Sequence, residues 1–292
     1  MFELALVADS GSTTTNWALV SASACLKKVD TTGINPYYLS QEEIVALLRK
    51  ELLPAFSAEE QRQIGQIWFY GAGCSTESKR QLLRETLRTI SPDAAIFADH
   101  DLMAAAKSCC GEGKGIACIL GTGSNSCVYD GKTIKKNAIS LGYFLGDEGS
   151  GTHIGKLFLT ALLKKRLPAA VEKLVAEQYQ LSPEEFLNRI YQNNKPNRFI
   201  GQFSPFVSQH LNEFGELQMI VRQSFHDFIR EFIAIYPESE SYPIYFVGSV
   251  AYHFQEILCN TLTEAGYGLQ KVIRYPIDGL VSYHQQHLNE AF

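Results

Sequence analysis

The sequence predicts an α/β protein built from two similar layered units. Short apolar runs of strand length alternate with helix-period segments through the first part of the chain. The arrangement strand, small Gly/Ser/Thr turn, strand occurs twice, at Asp9–Val20 and again at Leu120–Tyr129. The length of 292 residues suits two domains at the common prior of roughly 150 residues each.

Phe2–Asp9 is an apolar run ending in an acid, as a buried strand would be. Ser10-Gly11-Ser12-Thr13-Thr14-Thr15 follows as a small, hydroxyl-rich turn, and Trp17–Val20 resumes as the second arm of a hairpin. Gln41–Leu53 sets Ile44, Val45, Leu47, Leu48 and Leu52 on one helical face, and Pro54 is expected to end it. Gln66–Gly71 reads as a strand, Thr76–Ile90 as a helix, Ala95–Ala98 as a strand, and Asp101 opens an alanine-rich helix. This alternation predicts a mostly parallel core. Gly111-Glu112-Gly113-Lys114-Gly115 reads as a domain boundary and hinge. Ile116–Leu120 and Asn125–Tyr129 are strands around the turn Gly121-Thr122-Gly123-Ser124, and Asp130-Gly131 is a hairpin signal. After Gly151 helical stripes dominate, at Ile154–Leu162 and Leu217–Ile235. Tyr242–Val247 returns as a strand, Gly248-Ser249 breaks it, and Ala251–Ala265 and Ile277–Leu288 read as helices.

Composition narrows the function. With 46% hydrophobic and 20% charged residues the chain has material for packed cores. Its net charge of −5 lacks the basic field of a nucleic-acid binder. No apolar run reaches the ~20 residues of a membrane helix, and Met1–Asp9 reads as a first strand and not a leader. Cysteines at 25, 74, 109, 110, 118, 127 and 259 form no framework, so reduced thiols and a cytoplasmic location are expected.

Gly155-Lys156 lacks the upstream glycine of a Walker loop and is followed by Leu157. His284 and His287 read as surface residues of the last helix. What remains are two small turns that could present backbone N–H groups to oxyanions, or could be plain hairpins. Asp9 could hold a hydrated Mg²⁺ beside phosphates. Asp101 could accept a proton from a substrate hydroxyl or could cap its helix, with Asp99 as a rival base. In Gly146-Asp147-Glu148-Gly149-Ser150-Gly151 two acids lie among small residues ahead of a helix, suited to sugar hydroxyls or to the helix terminus itself.

Asp9-Ser10-Gly11-Ser12-Thr13, Asp101, Gly121-Thr122-Gly123-Ser124-Asn125, Leu145–Ser150 and Gly248-Ser249-Val250-Ala251, in this order, resemble the N-acetylglucosamine kinase group. That group is similar to hexokinase and actin and also contains dehydratase-activator ATPases. The resemblance implies two ribonuclease-H-like domains with ATP and sugar in the cleft between them. It implies an N-terminal domain of residues 1–112 plus 276–292 and a C-terminal domain of 113–275. The cofactors it implies are ATP and Mg²⁺, the latter at Asp9. Gly11, Ser12 and Thr13 would lie in the first phosphate hairpin, Gly121, Thr122 and Gly123 in the second, and Gly248 and Ser249 by the adenosine. Asn35, Ser124, Asn125, Asp147 and Glu148 would contact an amino sugar, with Asp101 as the catalytic base. The 6-hydroxyl of N-acetylglucosamine or a related hexosamine is the implied acceptor, and a homodimer the implied assembly.

Two features depart from the pattern. Thr14 stands where the first hairpin usually carries Lys or Arg, and Ser140–Phe144 replaces the Gly-Trp-Gly of the vertebrate-type enzyme. The alternatives are an activator, which holds an iron–sulfur cluster between subunits through cysteines, although no cysteine here has the spacing of that site and only Cys118 and Cys127 stay open for it, or a kinase-like binder without turnover.

Overall fold

The structure is a computed structural model that describes residues 3–11, 13–192 and 196–291. The chain divides into two compact units, residues 1–113 with 131–133 and 275–292, and residues 114–130 with 134–274.

The first unit contains β1 (Leu4–Ser10), β2 (Thr14–Val20), β3 (Cys25–Thr32), α1 (Gln41–Leu47), α2 (Ala58–Gln63), β4 (Ile64–Gly71), α3 (Glu77–Arg88), β5 (Ala95–His100) and α4 (Asp101–Cys110). Its sheet runs β3-β2-β1-β4-β5, with β1 antiparallel to β2 and parallel to β4. The expected mostly parallel core is therefore corrected: β2–β3 is also antiparallel and only β1–β4 and β4–β5 are parallel. β3 was not foreseen, because Cys25–Lys28 is exposed and offers no apolar alternation. The helix from Gln41 also differs from expectation. It passes into a π turn at Leu48–Leu52, and Pro54 sits inside the 3₁₀ turn Leu53–Ala55 that follows.

One face of this sheet packs α1 and α3 over a core that includes Leu6, Trp17, Ile44, Phe69 and Leu83. Trp17 is fully buried and donates its indole N–H to Thr31 Oγ1 at 3.0 Å, so its polar end is satisfied. Burying such a ring contributes about 2–3 kcal/mol relative to exposure.

The second unit contains β6 (Gly115–Leu120), β7 (Ser124–Tyr129), β8 (Ile134–Asn137), α5 (Gly142–Leu145), α6 (Gly151–Leu163), α7 (Ala169–Tyr179), α8 (Pro183–Tyr191), α9 (Pro196–Gly201), α10 (Phe203–Gln209), α11 (Gly215–Phe228), β9 (Ile244–Val247), α12 (Ser249–His253), α13 (Gln255–Glu264) and β10 (Leu269–Ile273). Its sheet runs β10-β9-β6-β7-β8, with β6 antiparallel to β7 and parallel to β9. Position for position this is the order of the first sheet, so the repeat read from the two turns extends to whole sheets. The single helix expected over Ala251–Ala265 is broken at Phe254 into α12 and α13. Phenylalanines 158, 203, 206, 225, 228 and 246 fill the core of this unit.

α14 (Pro276–Ala291) packs on α4, β1 and β2 of the first unit. Gly279 allows the close crossing, since a Cβ there would lie 2.3 Å from Ser108 O. His284 is a correction: it is 2% exposed, not on the surface. Its Nε2 pairs with Tyr70 Oη at 3.0 Å, and burial pushes its pKa down to about 3. Among the described residues no helix is long and apolar enough to cross a membrane.

Candidate active site

Open α/β sheets bind ligands at the carboxyl ends of their parallel strands. In the first unit Asp9 of β1 pairs with Tyr70 of β4, which pairs with Asp99 of β5. The next residues along are Ser10, Gly71 and His100, and Asp101 then opens α4. The strand ends thus gather Asp9 and Asp101 at one edge of the sheet.

Asp9 keeps a small share of its surface to solvent but is largely enclosed by protein. Burial, reinforced by the charge of Asp101, raises its pKa to about 7. Asp101 is raised above the usual carboxylate range by burial, against the pull of His100 and of the Leu102 N–H. That N–H reaches Asp101 Oδ1 at 3.0 Å. Asp101 is not the cap of α4: His100 takes that place and Asp101 is the first helical residue. The rival Asp99 is already engaged, since its Oδ1 accepts the His100 N–H at 2.8 Å and lies 3.7 Å from Arg80 Nη1. Cys74 senses both Asp101 and Asp99, and burial above all pushes its thiol up to about 12, so it stays protonated.

The first hairpin is held from below by hydroxyls. Ser10 Oγ and Thr15 Oγ1 are 2.7 Å apart, and the Ile34 N–H donates to both, at 3.1 and 3.2 Å. The Gly33 N–H reaches Thr13 O at 2.9 Å, and the Gly11 N–H reaches Thr14 O at 3.0 Å. This knot fixes the hairpin to the segment carrying Asn35. Asn35 Oδ1 accepts the Tyr37 N–H at 2.9 Å and rests on Gly73, where a Cβ would lie 2.3 Å from it. Gly11, Thr13 and Thr14 are open to solvent at the tip. Ser12 lies outside the described residues.

The second unit uses different parts at the matching place. The Gly121 N–H reaches Gly123 O at 3.0 Å, and the Gly151 N–H at the start of α6 reaches Gly121 O at 2.8 Å. Thr152 Oγ1 donates to Thr122 O at 2.6 Å. The carbonyls of residues 121, 122 and 123 therefore all have donors, which reduces their repulsion of an anion approaching the turn. Asp147, in a left-handed backbone conformation at φ +60°, lays its carboxylate against Gly123 and accepts the Ser124 N–H. Burial raises its pKa; the Ser124 N–H and Lys156 oppose that, and Glu148 adds to it.

Ser124 Oγ is buried and has no hydrogen-bond partner among the described residues. Such an atom is expected to meet a ligand or water. Asn125 Oδ1 accepts the Ser126 N–H at 2.9 Å. Glu148 is half-buried and Ser249 exposed. Gly248, at φ +118°, presses on β6: a Cβ would stand 2.3 Å from Leu120 O.

The structure thus groups Asp9, Asp101 and Asn35 with the first hairpin, and Ser124, Asp147 and Gly248 with the second. The reading of the sequence missed Thr152 and Lys156. Their signals were weak, a threonine at a helix start and a lysine set aside with the failed Walker pattern. Among the described residues no group of three or more His, Cys, Asp or Glu could hold a metal. Cys118 and Cys127 are fully buried. Cys118 pairs across the sheet with Ser126, and Cys127 with Ala117, so the two thiols point to opposite faces and cannot share one cluster.

A solved structure from Porphyromonas gingivalis, assigned as an N-acetylglucosamine kinase, is 40% identical, with a TM-score of 0.93 over 97% of this chain and 99% of that one. A Chromobacterium violaceum protein with the same assignment is 18% identical, covers 97% and 99%, and superposes with a TM-score of 0.71. A ROK family glucokinase from Streptomyces griseus, in complex with glucose and AMPPNP, is 12% identical over 96% and 97%, with a TM-score of 0.55. These last two show the fold alone. No protein-family model and no curated protein matches the chain.

Proposed function

The chain belongs to the N-acetylglucosamine kinase-like family of sugar kinases, and from that premise we propose that it transfers the γ-phosphoryl group of ATP to a hydroxyl of an amino sugar. The acceptor is the 6-hydroxyl of N-acetylglucosamine or a close relative. The observation that carries this is the buried acid pair Asp9 and Asp101 at the strand ends of the first unit.

Asp101 is the base. A carboxylate raised by burial is a better proton acceptor than an ordinary one. It takes the proton of the hydroxyl as the oxygen bonds to the γ-phosphorus, the bond to the β-phosphate oxygen breaks, and ADP departs. Asp9 is the residue that would hold Mg²⁺. The fit is chemical: a carboxylate raised by burial and further by the charge of Asp101 is relieved by a cation, and Mg²⁺ needs only one or two protein carboxylates because it keeps its waters. When bound, the ion neutralises charge on the phosphates.

The turns at Gly11–Thr13 and Gly121–Gly123 cradle phosphate, and Gly248 and Ser249 border the nucleoside. Asn35, Ser124, Asn125 and Glu148 meet the sugar, with the unpartnered Ser124 hydroxyl as the clearest waiting contact. Asp147 serves the same site through Ser124. Thr14 leaves the first hairpin without a side-chain cation, so stabilisation of the phosphates there falls to backbone and metal. The opposed thiols of Cys118 and Cys127 give the activator alternative no support.

ADP release measured over a panel of amino sugars and hexoses, with the product's phosphate located by NMR, tests the proposal. N-acetylglucosamine or a related hexosamine should accelerate ADP formation and emerge as the 6-phosphate. ADP formation at one rate with and without every sugar would refute it.

A further inference from the structure

We infer that Lys156 is a positioning residue for the acid loop, its ammonium clamping the carbonyls of Tyr143 and Gly146 around the end of α5 so that Asp147 can brace the 121–124 hairpin. The inference rests on the kinase reading of that hairpin. Lys156 lies on α6, past the N-terminal residues Gly151 and Thr152 that tie down Gly121 and Thr122. Its Nζ donates to Tyr143 O at 2.9 Å and to Gly146 O at 3.2 Å. These two carbonyls bracket the end of α5, so one charge closes the loop over its single turn. One helix thus fastens the hairpin with its first residues and the acid loop with Lys156, while Asp147 joins loop to hairpin at Ser124.

The α5 turn itself buries little apolar side chain. Phe144 is 81% exposed and Leu145 69% exposed, so apolar burial contributes little to its place. Asp147 must also be kept in a left-handed conformation that a non-glycine residue seldom adopts. A half-buried ammonium costs desolvation free energy, and the lowered pKa of Lys156 reflects that cost. The two carbonyls and the facing charges of Asp147 and Glu148 offset it. The groups that face the Asp147 carboxylate are Lys156 from α6, the neighbouring Glu148 and the Ser124 N–H from the hairpin. Removing the lysine takes away a charge that lowers the pKa of Asp147 and so favours its protonation, which would slacken the brace.

The test is hydrogen–deuterium exchange and steady-state kinetics on wild type, Lys156→Met, Lys156→Arg, Asp147→Asn and the Lys156→Met/Asp147→Asn double variant. Methionine keeps the apolar stem and removes only charge and donors. Exchange across residues 142–149 should rise about tenfold in Lys156→Met, with α11 and β6 unchanged. Its kcat/KM for ATP should fall about tenfold, arginine should restore most of the loss, and the double variant should be no worse than the worse single one. Unaltered exchange in Lys156→Met, an arginine variant as impaired as methionine, or losses that multiply in the double variant would overturn the inference. The exchange arm needs no turnover, so a wild-type protein without sugar-dependent ADP formation would remove the kinase reading while still judging the clamp.

Discussion

The two sheets share one strand order, yet the matching strand ends carry opposite chemistry. Asp9 and Ile119 occupy the same register position: each is one residue from the end of the central strand, and they pair with Asn16 and Asn125 in turn. The first unit places acids at its strand ends, and for Asp9 both burial and the charge of Asp101 raise the pKa. The second unit places its buried acid, Asp147, against a backbone N–H and beside Lys156. An acid left without a compensating cation is ready for a metal or a proton, whereas a compensated one holds a loop. The hairpins differ accordingly. Gly11, Thr13 and Thr14 lie between the paired Ser10 and Thr15, which knot the base of the turn with their hydroxyls; residues 121–123 lie between Leu120 and Ser124 and are fixed by a helix start and a carboxylate.

The comparison breaks most sharply at Asp101. Asp101→Asn should lower kcat by about 10³-fold with sugar affinity little changed, because the amide keeps the shape but cannot take a proton. Its thermal midpoint should hold or rise, since a buried charge is removed. Kinetics beside a melting curve check both halves.

Next is Gly248→Ala, which combines a positive φ with a Cβ 2.3 Å from Leu120 O. It should cost about 3 kcal/mol, seen as a fall of about 6–12 °C in Tm. Gly11 is the counterpart for contrast: a Cβ there would meet only Thr14 O, at 3.6 Å, so Gly11→Ala should stay within about 0.5 kcal/mol.

Between these lies Asp9→Asn. The folded carboxyl stays protonated up to about pH 7, while the unfolded one ionises near its ordinary value of 3.8. The folded state therefore binds the extra proton in that window, and wild-type stability falls as pH rises through it. Asparagine has no such loss. Without metal or nucleotide it should be more stable than wild type by about 2 kcal/mol above pH 7, a figure discounted for solvent reaching Asp9 and for its coupling to Asp101. The gap should close below pH 4. Urea titrations across pH measure it.

The sequence made the two hairpins, the strand ends and the acids at 9, 101, 147 and 148 legible, because small turn residues between apolar runs are local signals. Elements at the sheet margins were not. Lys27 and Lys28 in β3 and Gln270 and Lys271 in β10 face solvent, so no alternation marks those strands. His284 is buried by Tyr70, distant in sequence, and spacing along its own helix carries no trace of that. Lys156 and Thr152 act on residues brought to them by the fold, and the role of Asp147 depends on its unusual backbone angle. Asp99, the rival to Asp101 in the sequence, is engaged by Arg80 and by the His100 N–H, contacts that no local spacing reveals.

The most direct test of Asp101 as the base is the pH dependence of kcat/KM for the sugar, in wild type and in Asp101→Asn. Wild type should lose activity towards acid with unit slope and a midpoint well above 3.8, and the residual rate of the variant should lack that limb. A wild-type limb centred at the ordinary aspartate value, or the same limb surviving in Asp101→Asn, would contradict the account.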